Sequence, residues 1–161
     1  MQRIVTIAGV RELSDELQKS HASVVLVGGC FDILHIGHIR FLEAAKKQGD
    51  ILVVLVESDE KIKQLKGHDR PFQTQMDRAH ILEALKPVDA VMLLPAQTDD
   101  AFYDQLLSGV KPAIIATTKG DPTRHHKERQ AALIGAQVVD VIDELPHKSS
   151  TQIAQKIRTH V

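Results

Sequence analysis

Tryptophan is absent, tyrosine occurs once, and aromatic residues make up 3% of the 161-residue chain. A chain of that length buries a sizeable core, and here the core must come from Val, Ile, Leu and Ala. That favours a parallel sheet covered by helices over a β-sandwich. Cysteine is almost missing as well. Cys30 is the only one, so no disulfide forms within the chain, which fits a reducing compartment. Neither sign of charge dominates. The 20 basic and 21 acidic side chains leave a formal net charge of -1, which gives no general reason to bind nucleic acid. No apolar run approaches the ~18 residues of a membrane span, and Met1 to Ile7 lacks the apolar segment of a secretory signal. The expectation is a soluble, cytoplasmic protein with no targeting segment and no membrane or nucleic-acid partner. Hydrophobic residues reach 43%, which argues against a disordered chain. Length favours one domain over residues 1–161.

What is present alternates between strand and helix patterns. Ile4 to Ile7 reads as a short edge strand or an extended arm. Val10, Leu13 and Leu17 share one face of a helix from Val10 to Ser20. Strands are expected at Ser23 to Val27, Ile51 to Val56, Ala90 to Leu94, Ala113 to Ala116 and Val138 to Ile142. A helix after the first of these runs to about Gln48, with Ile39, Leu42 and Ala45 on one face. Ser58 opens a short helix and then a loop punctuated by Gly67 and Pro71. Thr74 and Asp77 form a Thr-x-x-Asp helix start, with Met76, Ala79, Leu82 and Leu85 inward and Pro87 as the stop. Asp99 to Leu107 reads as helical, Thr117 to Arg129 as polar and basic, and Ala131 to Ile134 as helical again. Ser149-Ser150-Thr151 opens a last helix, with Ile153, Ala154 and Ile157 inward. The pattern implies an α/β, Rossmann-like open sheet, mainly parallel, of about five strands with helices on both faces. Ligands bind beyond the carboxyl ends of such strands.

One stretch carries the chemistry. Val24 to Val27 leads into Gly28-Gly29, read as a tight turn, and then into a helix start bearing His35 and His38. Backbone N–H groups after the glycines and at the helix end suit phosphate oxygens. Alone, two glycines are an ordinary strand-to-helix turn. His35 and His38, three residues apart, face one way at a helix start, and Gly37 between them leaves room for a phosphate. Imidazoles donate hydrogen bonds to phosphate, more strongly when protonated. A metal is the competing use, but no third ligand stands at a recognisable spacing.

Gly29-Cys30-Phe31-Asp32-Ile33-Leu34-His35-Ile36-Gly37-His38 resembles the GxFDxxHxGH signature of the cytidylyltransferase-like nucleotidyltransferases. His35-Ile36-Gly37-His38 is also the signature of class I aminoacyl-tRNA synthetases, but the chain shows no KMSKS segment. Leu65-Lys66-Gly67, Arg70-Pro71, Asp77-Arg78 and Val88-Asp89 follow in the order seen in adenylyltransferase domains that activate heptose 1-phosphate. Glycerol-3-phosphate cytidylyltransferases and archaeal-type FAD synthetases are similar.

The resemblance implies that a phosphorylated acceptor attacks the α-phosphorus of a nucleoside triphosphate, ATP before CTP, and that pyrophosphate leaves. An anionic acceptor needs no catalytic base; it needs positioning and charge neutralisation. The resemblance assigns catalysis to His35, His38, Lys66 and Arg78, with Arg70 a weaker candidate. It assigns nucleotide contacts to Gly29, Cys30, Phe31, Gly37, Lys119, Ser149, Ser150 and Thr151, with Mg²⁺ arriving on the triphosphate and no protein metal site. Asp32 is expected to hold the turn by accepting backbone hydrogen bonds, and Cys30 to have no nucleophilic role. A homodimer is implied by the family alone. The alternatives are a cytidylyltransferase for glycerol 3-phosphate, an FAD synthetase-like adenylyltransferase and a nucleotide-binding sensor. Departures fall where base and acceptor are chosen: Gly28 stands where the heptose group usually has Asn, the segment 117–122 differs, and 123–129 is unusually basic.

Overall fold

The computed structural model describes residues 4–143 and 150–159. Among these residues, six strands form one parallel sheet: β1 (Ile4–Val5), β2 (Val24–Gly29), β3 (Ile51–Val56), β4 (Ala90–Leu93), β5 (Ile114–Thr118) and β6 (Gln137–Ile142). Their order is β1-β4-β3-β2-β5-β6. The expected α/β class stands, with one strand more than the pattern suggested. The sixth is β1, which makes the start of the Ile4 to Ile7 segment the short edge strand rather than an extended arm; its two residues pair with Val91 and Met92 of β4. Two residues are too few to display an alternation.

Among the described residues, seven α-helices connect and cover the strands: α1 (Val10–Ser20), α2 (Ile36–Lys46), α3 (Asp59–Lys66), α4 (Gln75–Glu83), α5 (Asp100–Val110), α6 (Arg124–Ile134) and α7 (Ser150–Arg158). All six residues of β3 are buried, as a strand covered on both faces requires. Alternate residues feed two cores. Leu26, Val53, Leu55 and Met92 pack under Leu13 and Leu17 of α1 and Leu106 and Leu107 of α5. Val25, Val27, Val54 and Val91 pack under Leu42 of α2 and Ala79 and Leu82 of α4.

Three local expectations change. The basic run opens α6, within what the pattern left non-helical. Its charges are matched: Arg124 pairs with Glu128 and Asp140, and Arg129 with Asp104 and Asp100. Met76 is 45% exposed rather than inward, because Gln75 and Arg78 take the inner side of that turn. The Gln75 amide donates to the carbonyls of Val56 and Leu94, at 2.9 and 2.8 Å, tying together the ends of β3 and β4. Ile157 is likewise 59% exposed, while Ile153 and Ala154 are partly buried.

The strand order reverses beside β2. The chain steps outward through β3 and β4 on one side, then returns to place β5 on the other. The carboxyl ends of β2 and β5 therefore flank a topological switch point, where sheets of this kind bind ligands. No helix among the described residues is long and apolar enough to cross a membrane.

Candidate active site

The bend after β2 lies later than the glycines. Gly28 and Gly29 remain in the strand, in register with Leu55 and Val56. Gly29 is needed for close approach, since a Cβ there would lie 3.0 Å from the Phe31 ring. The turn itself uses left-handed backbone at Phe31 (φ 49°) and Ile33 (φ 53°). Neither residue favours that region, least of all a β-branched one, so surrounding bonds must hold the turn. Asp32, 1% exposed, supplies them. Its carboxylate accepts from Arg70 Nε at 2.7 Å, from the Phe72 amide at 3.0 Å and from the Gln73 amide at 3.2 Å. The Ile33 amide donates to Gln73 Oε1 at 3.4 Å. Asp32 does accept backbone hydrogen bonds, but from a second loop some 40 residues away rather than from its own turn.

That clamped turn delivers the chain to α2 with His35 at its N-cap. His35 Nδ1 accepts from the Gly37 amide at 3.1 Å, and His38 Nδ1 accepts from the His35 amide at 3.4 Å. The two rings lie 3.9 Å apart. An accepting Nδ1 places the ring proton on Nε2, so each imidazole presents an Nε2–H donor. Burial, then His35, then the Lys66 charge push His38 down to about 4. The sequence allowed protonated donors; at neutral pH, His38 is a neutral one. The Gly37 amide, spent on His35, is not offered to a ligand in this arrangement.

A pH dependence follows with a defined sign. The folded state resists protonating His38 while the unfolded chain accepts a proton near its ordinary value of about 6.5. The His38 contribution to stability is therefore complete above about pH 6.5 and is lost as pH falls towards 4. A titration of the ring followed by nitrogen NMR should show the Nε2–H form through neutrality and a midpoint near 4. A midpoint at or above the ordinary value would contradict the buried, neutral donor.

The other expected site residues divide. Lys66 ends α3, is exposed, and forms no ion pair among the described residues. Its charge pulls down the proton affinity of both His38 and Cys30, though less than burial acts on either. Cys30 is partly buried, and burial pushes its thiol up against the pull of Lys66, Arg78 and Arg70. Phe31 is buried, its ring 5.5 Å from that of His38. Arg70 is pinned to Asp32, lies over the Phe72 ring at 4.9 Å, and donates from Nη1 to Thr151 Oγ1 at 3.5 Å. The first turn of α7 is thereby brought to the loop that holds the histidines.

Arg78 is turned inward. It is 1% exposed and donates to the carbonyls of Gln73 (3.2 Å), Cys30 (2.6 Å) and Glu57 (2.8 Å) and to Asp59 Oδ1 (2.8 Å). The expectation of a phosphate-binding arginine meets a brace that joins the ends of β2 and β3 to α3. Lys119 stands beyond β5, exposed and 3.6 Å from Asp143. Ser149 lies outside the described residues, as does the side chain of Ser150.

Two residues without a sequence signal also sit here. Glu57 follows β3 and accepts from the Tyr103 hydroxyl at 3.0 Å; burial pushes both groups up. Among the described residues, no group of three or more His, Cys, Asp or Glu side chains is arranged to hold a metal ion.

The sheet and its contents define an α/β protein of the doubly wound class, with an anion-suited loop at the switch point. Residues 26–156 match the cytidylyltransferase-like family, and the chain belongs to that family. It is 41% identical over 147 residues to the bifunctional protein HldE of a Nitratiruptor species, covering 91% of this chain and 30% of that one. It is 40% identical over 150 residues to the bifunctional protein HldE of Campylobacter fetus subsp. fetus, covering 89% and 30%. The chain thus spans 30% of the length of these relatives. Among solved structures, a lipopolysaccharide core biosynthesis protein from Thermoplasma volcanium aligns with a TM-score of 0.60 at 28% identity, over 76% of this chain and 97% of that one. A pantoate-beta-alanine ligase from Francisella tularensis aligns with a TM-score of 0.65 over 99% and 78%; at 16% identity it speaks for the fold alone.

Proposed function

We propose that residues 1–161 form one nucleotidyltransferase domain that moves a nucleoside monophosphate, from ATP, onto a heptose 1-phosphate-like acceptor and releases pyrophosphate. The observation that carries this reading is the pair of Nε2–H donors, His35 and His38, held at the switch point, with the Lys66 charge acting on His38. An acceptor phosphate oxygen forms a bond to the α-phosphorus; the bond from that phosphorus to the bridging oxygen breaks, and pyrophosphate takes the electron pair. No proton need be removed. What the protein supplies is fixed donors where charge accumulates on the α-phosphoryl oxygens, which costs no reorganisation at the moment of reaction. His38, kept neutral by burial, donates to the phosphoryl oxygens from Nε2 without bringing a charge of its own. Lys66 adds a full charge at the same place.

Mg²⁺ belongs to this reading as a companion of the triphosphate, held mostly through phosphate and water. When bound it would neutralise phosphate charge. The name shared by the HldE relatives and the lipopolysaccharide role named for the Thermoplasma protein support a sugar phosphate as acceptor. A cytoplasmic homodimer belongs to the same reading and is checked by light scattering.

The test is pyrophosphate release with Mg²⁺, each nucleoside triphosphate in turn, and a panel holding a heptose 1-phosphate, hexose 1-phosphates and glycerol 3-phosphate. Turnover confined to ATP and a sugar 1-phosphate is the expected result. CTP with glycerol 3-phosphate would reassign the substrates. Nucleotide binding without turnover across the panel would sink the enzyme reading in favour of a sensor.

A further inference from the structure

Glu57 occupies a place that the transfer chemistry leaves unused. Its amide donates to the Gly29 carbonyl at 3.1 Å, and its own carbonyl accepts from Arg78. The backbone is therefore locked to the end of β2. Strand alternation puts its side chain on the side of Val53 and Leu55, the face covered by α1 and α5. There, Oε1 accepts from Tyr103 on α5. Oε2 is buried and accepts no hydrogen bond from any described residue. Native proteins leave few such oxygens, and each one asks for a partner, which here no described residue supplies.

The adjacent position provides room. Gly28 is in register with Leu55 and lies on the same face. It is exposed although Val27 before it is fully buried. A Cβ there would meet nothing nearer than Leu55 Cβ at 3.8 Å. A bare position at the carboxyl end of a central strand, next to a carboxylate with an unfilled acceptor, admits a ligand group.

Charge then sets the direction of that ligand. Lys66 and the two Nε2–H donors belong to α3 and α2, while Glu57 hangs on the opposite face. A phosphate is drawn to the first set and repelled by the second. A phosphate monoester with hydroxyls on its organic part is turned so that the hydroxyls meet Glu57. Resting on the nucleotidyltransferase reading, we infer that Glu57, positioned by Tyr103 and given room by Gly28, accepts a hydrogen bond from an acceptor hydroxyl and so selects polyhydroxylated phosphate monoesters. A site built to hold a hydroxyl rejects analogues that lack it, because its own buried group is then left unpaired.

The experiment compares wild type, Glu57→Gln, Glu57→Ala and Gly28→Ala with ATP and Mg²⁺, using heptose 1-phosphate and its monodeoxy analogues as acceptors. Melting temperature serves as the folding control. The wild type should lose about 10- to 100-fold in kcat/KM on one deoxy analogue. In Glu57→Ala, that analogue and the parent should be used equally well, by a loss on the parent, with the KM for ATP unchanged. Gly28→Ala, whose added methyl the strand accommodates, should raise the acceptor KM alone. Glu57→Gln, which keeps shape and an acceptor oxygen, should retain part of the discrimination, and it carries the test if the alanine variant does not fold. Wild-type discrimination that survives unchanged in both Glu57 variants overturns this inference and leaves the transferase reading intact. A wild type that releases no pyrophosphate overturns both.

Discussion

Replacing His38 with alanine is expected to lower kcat by about 100- to 1,000-fold, the usual consequence of removing one preorganised transition-state donor. On the proposed mechanism the KM for the triphosphate should move little, because the donor would meet charge that develops only during transfer. The geometry gives the reason. His38 Nδ1 is committed to the His35 amide, so its single ring proton is fixed on Nε2, and its low proton affinity keeps the ring neutral. Alanine removes both nitrogens. The structural part of that loss is a long hydrogen bond at a helix N-terminus, worth about 0.5–2 kcal/mol at most, so the variant should fold. His38→Asn separates the parts: its short amide oxygen can still accept from the His35 amide but places no donor at the Nε2 position. Steady-state pyrophosphate release, read beside a thermal melt, measures both. Near-normal turnover in folded His38→Ala would falsify the donor role.

Arg78→Met should cost about 3–5 kcal/mol of folding stability, the range for breaking a buried charged network by removing one partner. A domain of this kind has only about 5–15 kcal/mol in total. Three backbone carbonyls and the Asp59 carboxylate lose their donor together. Asp59 is partly exposed and recovers some hydration; the carbonyls are the larger loss. Arg78→Lys should rescue little, since one ammonium cannot reproduce the planar fork that spans these acceptors. Denaturant unfolding reads the effect directly. A phosphate-binding arginine would behave otherwise: stability would hold and the KM for the triphosphate would rise. That second outcome would support the phosphate-binding role that the family resemblance implies for Arg78.

What could be placed from sequence was local. The run Val24 to Val27, the apolar block Ile51 to Val56 and the His35–His38 spacing could each be read from their own neighbours. Arg70 and Arg78 could not. Both look like loop or helix-surface charges in the sequence, and their direction depends on Asp32, Cys30 and Glu57, which are distant in the chain. The position of the turn was misjudged for a related reason. Glycine marks where bending is easy, but here Gly28 and Gly29 are held straight by β3, and Asp32 forces the bend onto Phe31 and Ile33. Glu57 gave no signal, since a carboxylate after an apolar strand is ordinarily solvated. Its burial comes with Tyr103, on a helix one strand further along the chain. The segment 123–129 reads as polar and basic, with no helical pattern of its own; Asp104 and Asp140, both outside it, pair with its arginines in the first turns of α6.

The Asp32 clamp bears on how tightly and how quickly a ligand can be held. The histidine turn, the loop at Phe72 and Gln73, Arg70 and the start of α7 are linked through one buried carboxylate and its arginine. A loop left free would have to lose its conformational entropy when the nucleotide arrived, at about 1–2 kcal/mol per residue fixed. Here that loss has already been met during folding. Binding energy from the phosphates is then available to the reacting centre instead of being consumed in arranging it.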